Sequence, residues 1–126
     1  MFYDFVMLSP ILMLALAASS QVAPKDNPLH GAYIFHACQA AIQEMDHPND
    51  ESANTYQAAI CMFYIQGFMD GQDAAGKGAC WMSASYETII KAYVAYMEKH
   101  PKVMDMDRRV GVMLALGSAF PCPATP

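Results

Sequence analysis

The chain has 126 residues and a formal net charge of −5, so it is long enough for one domain with its own core. Charged residues make up 15% of it and hydrophobic residues 55%, which is more apolar than a typical soluble domain. The acidic balance provides no basic stripe and therefore argues against a nucleic-acid-binding protein.

Residues 1–17 have the properties of a secretory signal peptide. The segment Phe5–Ala18 contains no charged residue, is interrupted by Pro10, and is shorter than the roughly 20 apolar residues that a transmembrane helix needs. The small residues around Ala17 favour cleavage after that position. The residues before the apolar run include Asp4 and no Lys or Arg, so an uncleaved membrane anchor is the alternative. Cleavage would deliver a periplasmic protein without a membrane segment.

The remainder of the chain predicts an all-α protein, a small bundle of about four helices. Residues 18–28 are polar and contain proline, and we expect a flexible lead-in there. Apolar residues then recur at helical spacing in four segments, and no segment shows sustained period-two alternation. We expect a first helix over about 29–45 and a second that is capped by Asn49, Asp50 or Ser52 and ends near Ala75. A third should be capped by Ser83 or Ser85, and a fourth by Asp105 or Asp107.

The second helix is predicted to be the centre of the bundle. The stretch Gln57–Cys80 carries the longest apolar helical pattern of the chain, so we expect the other segments to pack around it. Gly67 and Gly71 lie on one face of this helix. Each glycine lowers intrinsic helix stability by about 1 kcal/mol relative to alanine, and close approach of a partner backbone is the expected compensation.

Four cysteines in an exported chain indicate two disulfides. Three pairings are open, and sequence alone does not choose among them. Cys38 and Cys61 lie in helices that would be antiparallel neighbours, whereas Cys80 and Cys122 lie in non-helical exits, so we prefer the pairs Cys38–Cys61 and Cys80–Cys122. A zinc site that joins the thiols to histidines is the alternative, but no Cys-x2-Cys or His-x3-His spacing supports it.

Other candidate chemistry is weakly supported. Residues 71–78 approach the phosphate-binding pattern G-x4-G-K-[ST], but Gly78 lacks the hydroxyl and the preceding segment is helical, so a helix C-cap is the better interpretation. Met104 and Met106, with His100 nearby, could form a soft-metal site, although methionine usually fills cores. No nucleophile–base arrangement is present, and we expect neither catalysis nor a cofactor.

The cysteines and helix-ending residues follow a recognisable order. Cys38 is followed by Cys61-x-x-Tyr64-Ile65-x-Gly67-Phe68-x-Asp70-Gly71, then by Cys80, His100-Pro101 and Ala119-Phe120-Pro121-Cys122-Pro123. This order resembles the Rap/Tai family of type VI secretion amidase immunity proteins over about residues 29–123. The resemblance implies a small helical periplasmic protein, often dimeric, that binds a peptidoglycan amidase and blocks its active-site cleft.

The loop after the second helix is the expected contact surface for such a partner. Its candidate residues are Asp70, Gln72, Asp73, Lys77 and Trp81. Exposed aromatic residues in loops anchor interfaces, and Trp81 is the one large aromatic residue outside a helical stripe. A homodimer is the second association that the resemblance allows. An exported structural or stress protein and a weak soft-metal binder remain the alternative functions.

Overall fold

The computed structural model describes residues 26–77, 80–81 and 83–123. The predicted signal peptide and most of the predicted lead-in lie outside these residues. The described part contains four α-helices, which we number α1 (Gly31–Asp46), α2 (Thr55–Ala74), α3 (Tyr86–Lys99) and α4 (Arg108–Ala119), and a short 3-10 helix, Pro101–Asp105, between α3 and α4. No strand occurs in these ranges. The prediction of an all-α bundle of about four helices is confirmed.

Side-chain caps determine where three of the helices begin. Ser85 accepts a hydrogen bond from the backbone N–H of Thr88 at α3, and Asp107 accepts one from Arg109 at α4. At α2 the cap is Asn54, not one of the earlier candidates Asn49, Asp50 and Ser52. Asp50 is not used as a cap because its carboxylate accepts hydrogen bonds from Ser52 and from the Gln43 side chain, which closes the turn between α1 and α2.

The hub of the bundle is α1, and the expectation that α2 would be covered on most sides is wrong. Helix α1 packs against α2, α3, α4 and the 3-10 helix, whereas α2 packs extensively against α1 alone. The buried residues of α2 follow one narrow stripe at steps of three and four: Ala58, Cys61, Ile65 and Met69. Of the other large apolar residues of α2, Ile60, Tyr64 and Phe68 are partly buried against the core, whereas Tyr56, Met62 and Phe63 are exposed.

The close backbone contacts occur at other glycines than expected. A Cβ atom added to Gly67 or Gly71 would meet nothing within 4 Å, so the predicted close approach there is wrong. A Cβ atom on Gly31 would lie 2.8 Å from the carbonyl oxygen of Val103, and one on Gly111 would lie 3.1 Å from Sδ of Met97. These two glycines let α1, α4 and the 3-10 helix converge on the fully buried Met97.

Hydrogen bonds join the first residues of α1 to the first residues of α4. Gly31 N–H donates to the carbonyl of Met106 (2.8 Å), and Arg108 N–H donates to the carbonyl of Leu29 (2.9 Å), which forms one antiparallel bridge. The Arg108 side chain also donates to the carbonyl of Pro28 and lies 5.0 Å from the ring centre of Tyr64 on α2. Arg108 is therefore a contact point for α2, α4 and the residues before α1.

Both disulfides form in the preferred pairing. Cys38–Cys61 joins α1 to α2 in the core, where both residues are 0% exposed. Cys80–Cys122 joins the segment after α2 to the chain beyond α4. The cysteines are 23 and 42 residues apart in sequence, so loop-closure entropy in the unfolded state gives each bridge a stabilisation of about 3–4 kcal/mol.

The glycine contacts predict opposite effects for one substitution at two positions. Gly31→Ala should lower the free energy of unfolding by about 1–3 kcal/mol, because the added methyl group meets a backbone carbonyl that cannot move independently. The matched control Gly67→Ala should raise it by about 0.5–1 kcal/mol, since this helical position is open. Urea unfolding with intact disulfides measures both; equal effects would contradict the packing at Gly31.

The cap of α4 predicts a pH dependence of stability. Hydrogen bonds from the side chain and the backbone of Arg109 lower the pKa of Asp107 from 3.8 to about 2. Because the folded-state pKa is depressed, this stabilisation is complete above about pH 4 and is lost as the pH falls toward about 2. In Asp107→Asn, which keeps a capping side chain, the melting temperature should fall less over this range than in the wild type. Melting temperatures measured from about pH 5 to about pH 2 test this, with Asp105→Asn as the control.

Candidate partner-binding surface

Most of the residues predicted for partner binding lie on what we name the α2 C-terminal turn: Asp70, Gln72, Asp73 and Lys77. Asp70, Asp73 and Lys77 are exposed, and Gln72 is half-buried. The two aspartates are three positions apart and therefore project from the same side of the helix. The structure thus places two carboxylates and one ammonium group on a short exposed segment.

The backbone holds this turn in a defined conformation. Gly76 has φ +72°, its N–H donates to the carbonyl of Asp73 (2.9 Å), and the N–H of Lys77 donates to the carbonyl of Gln72 (2.8 Å). This pair of hydrogen bonds is the Schellman helix ending, in which glycine takes the left-handed position. Gly76 and Lys77, which belong to the segment that resembles a phosphate-binding loop, thus form part of the C-terminal ending of α2.

The two carboxylates of the α2 C-terminal turn oppose the helix dipole, whereas Lys77 complements it. Carboxylates at a helix C-terminus lie next to its partial negative charge, which is unfavourable. Neither Asp70 nor Asp73 forms an ion pair within the described residues, whereas Asp46 and Asp107 have cationic partners. Local rules of stability are most often broken at functional sites, so these two acids are the best candidates on α2 for a role outside folding.

Trp81 does not occupy the exposed position from which it was expected to contact a partner. It is only 9% exposed and belongs to the hydrophobic core. It directly follows Cys80, whose disulfide to Cys122 holds this part of the chain near the tail. Trp81 thus packs into the core from the segment between α2 and α3, and the exposed candidates for partner contact are the residues of the α2 C-terminal turn.

The residues proposed for a soft-metal site have other contacts. Met104 is half-buried and packs against the core, whereas Met106 is 46% exposed. The His100 ring stacks on Tyr96 at 3.9 Å between ring centres, and its Nδ1 lies 2.7 Å from the Tyr96 carbonyl oxygen. No group of three or more His, Cys, Asp or Glu side chains within the described residues is arranged to hold a metal ion.

A second surface was missed by the sequence analysis. Helices α1 and α2 border an open hollow of about 510 Å³, which we name the α1–α2 groove. Tyr56 and Phe63 are each 74% exposed on α2, and Met62 is 38% exposed. Residues lining the groove include Ala41, Glu44 and Met45 from α1 and Ala59, Met62 and Phe63 from α2. The sequence did contain one indication of this surface, because Met62 and Phe63 fall outside the stripe of Cys61 and Ile65.

Tyr64, which follows the groove residue Phe63 in the sequence, is partly buried and packs against the core. Burial raises the pKa of Tyr64, and the nearby Arg108 guanidinium partly offsets that rise. A smaller hollow of about 280 Å³ lies beside it, lined by Phe63, Tyr64, Gly67, Phe68 and Arg109. The exposed side of α2 is therefore apolar along much of its length.

Comparison with known proteins identifies the family. The chain matches the model of the Rap1a immunity proteins over residues 30–122, which includes all four helices and all four cysteines. The protein belongs to this family, and the resemblance seen in the sequence is confirmed. Its family indicates an immunity function against a secreted effector protein. No curated protein and no solved structure matches the chain significantly. In the part of the chain that the structure describes, no helix is both long and apolar enough to cross a membrane.

Proposed function

We propose that this protein is a periplasmic immunity protein that binds a type VI secretion peptidoglycan amidase and blocks its active-site cleft. Membership of the Rap1a immunity family supports a proteinaceous effector as the partner. Two disulfides with no free cysteine in the described residues fit an oxidising compartment such as the periplasm, where cell-wall amidases act. The protein acts by binding and performs no catalysis of its own.

The proposed contact rests on one observation, the exposure and defined conformation of the α2 C-terminal turn. It is exposed, conformationally defined by its Schellman ending, and anchored on both sides, by Cys38–Cys61 within α2 and by Cys80–Cys122 beyond it. A rigid segment loses little conformational entropy when it enters a cleft, which favours tight inhibition. Asp70 and Asp73 would face donors of the amidase, and Lys77 would meet an acceptor at the rim.

Homodimer formation belongs to the same proposal and uses another face. Helix α4 exposes Met113 (55%) and Leu114 (44%), and α2 does not cover them. A two-fold contact between α4 and its copy would bury these side chains, which do not belong to the α2 C-terminal turn. Each dimer would then bind two effector molecules.

Inhibition of a type VI secretion peptidoglycan amidase tests the proposal. Stoichiometric addition of the oxidised protein should stop release of peptides from peptidoglycan. The double substitution Asp70→Asn/Asp73→Asn should weaken inhibition by about tenfold or more, because hydrogen bonds to charged groups are lost at the contact. Its melting temperature should not fall, since both carboxylates oppose the helix dipole.

The control for this experiment carries the same chemical changes on another surface. Glu98→Gln/Asp105→Asn removes two exposed carboxylates from α3 and the 3-10 helix and should inhibit like the wild type. Full amidase activity in the presence of excess wild-type protein would reject the amidase as partner. Equal weakening by both double variants would reject the α2 C-terminal turn as the contact.

A further inference from the structure

Acidic and basic residues are unevenly distributed between the two halves of the chain. Residues 31–76, which comprise α1, α2 and the turn between them, contain no Lys or Arg and six acids: Glu44, Asp46, Asp50, Glu51, Asp70 and Asp73. Residues 77–123 contain six bases, Lys77, Lys91, Lys99, Lys102, Arg108 and Arg109, and four acids, Glu87, Glu98, Asp105 and Asp107. The two helices that border the α1–α2 groove therefore contribute acids and no Lys or Arg, and Arg109 of α4 lines the smaller hollow next to Phe63.

Little of this negative charge is neutralised by the protein itself. Among the ion pairs of the described residues, only Lys91 pairs with an acid of this half, through Asp46 at 3.1 Å, and it shares its ammonium group with Glu87. Hydrogen bonds from Ser52 lower the pKa of Asp50, which keeps that carboxyl ionised at neutral pH. The end of the groove near the α1–α2 turn thus keeps a negative field.

Glu44 brings this charge into the groove. Its side chain contributes to the lining, and its Oε2 atom is buried without a hydrogen-bond donor in the described structure. Buried carboxylate oxygens without a donor are uncommon, and a ligand that supplies one removes the deficit. Met62 and Phe63 line the same groove as Glu44, so the site combines apolar side chains with an acceptor that lacks a donor.

We propose that the α1–α2 groove binds a basic segment of a partner protein, which places one large apolar side chain in the groove and a Lys or Arg against Glu44. The volume of about 510 Å³ accommodates an aliphatic or aromatic anchor. The negative field attracts a cationic segment and repels an anionic one. This inference goes beyond the proposed function, because it uses the N-terminal half of α2 and holds for a basic partner whether or not that partner is an amidase.

A second copy of this chain does not fit the groove in a two-fold arrangement. Such a contact would bring two anionic halves together, each with six acids and no Lys or Arg. Like charges placed against one another across an interface disfavour association. The partner's segment must therefore supply the positive charge, as a strand or a helix that carries Lys or Arg beside an apolar residue.

Three labelled peptides test the groove with the oxidised protein by fluorescence anisotropy. The first carries Leu and Lys at helical spacing, the second has Glu in place of every Lys, and the third copies the uncharged segment Phe5–Ala18. The Lys peptide should bind at least about tenfold more tightly than the Glu peptide, and its affinity should fall as salt rises. Equal binding of the Lys and Glu peptides overturns the proposal. Tighter binding of the Phe5–Ala18 peptide than of the Lys peptide also overturns it and assigns the groove to the N-terminal segment of the chain.

Matched substitutions locate the binding. Glu44→Gln and Met62→Ser should each weaken binding of the Lys peptide by about fivefold or more, since one removes the charge and the other the apolar wall. Glu98→Gln and Met106→Ser change an exposed acid and an exposed methionine elsewhere and should leave the affinity unchanged. Glu44→Gln is nearly isosteric and keeps the test valid if Met62→Ser fails to fold. Unchanged affinity in Glu44→Gln, or self-association of the wild type that Glu44→Gln abolishes, overturns the proposal.

The outcome is separable from that of the amidase experiment. If the amidase is not inhibited but Lys-peptide binding depends on Glu44, the proposed function fails and the groove assignment stands. If the amidase is inhibited but peptide binding does not depend on Glu44, only the groove assignment fails.

Discussion

The structure depends above all on the attachment of α2 to α1. Helix α2 has one extensive packing partner, and the buried stripe that meets this partner is centred on Cys61. The Cys38–Cys61 disulfide lies in this contact, with both residues 0% exposed, and it restricts the unfolded chain as well as joining the two helices. Because one disulfide and one narrow stripe hold α2, the opposite side of that helix is left open.

The residues that stabilise the bundle therefore lie on other surfaces than the residues proposed to bind a partner. The core converges on α1, where Gly31 and Gly111 admit close contacts around Met97, and the ends of α1 and α4 are joined by backbone hydrogen bonds. On the open side of α2, by contrast, apolar side chains are exposed and two carboxylates stand at the unfavourable end of the helix dipole. In the function that we propose, the buried face of α2 belongs to the stable scaffold and its open face binds the partner.

The helical class and the disulfide pairing could be predicted because their signals are local. Helix periodicity, prolines after His47 and His100, and capping residues lie within a few positions of what they determine. The prediction of the residue that caps α2 was wrong for a physical reason. Asn54, and not Asp50, caps α2, since the Asp50 carboxylate accepts the hydrogen bonds of the α1–α2 turn.

Long-range packing could not be predicted from the same signals. An apolar helix such as α2 can be central, or it can be peripheral with an exposed apolar face, and periodicity does not distinguish the two. Gly67 and Trp81 were misplaced for this reason: the glycine faces open space, and the tryptophan lies in the core. The α1–α2 groove is likewise defined by two segments that meet only in the folded protein.

Amide hydrogen exchange of the protein alone and with saturating amidase tests most directly whether α2 is the recognition element. The account predicts that binding slows exchange in residues 44–77, which contain the groove and the α2 C-terminal turn, and leaves α3 and α4 unchanged. Slowed exchange confined to α3 and α4, with α2 unaffected, would contradict it.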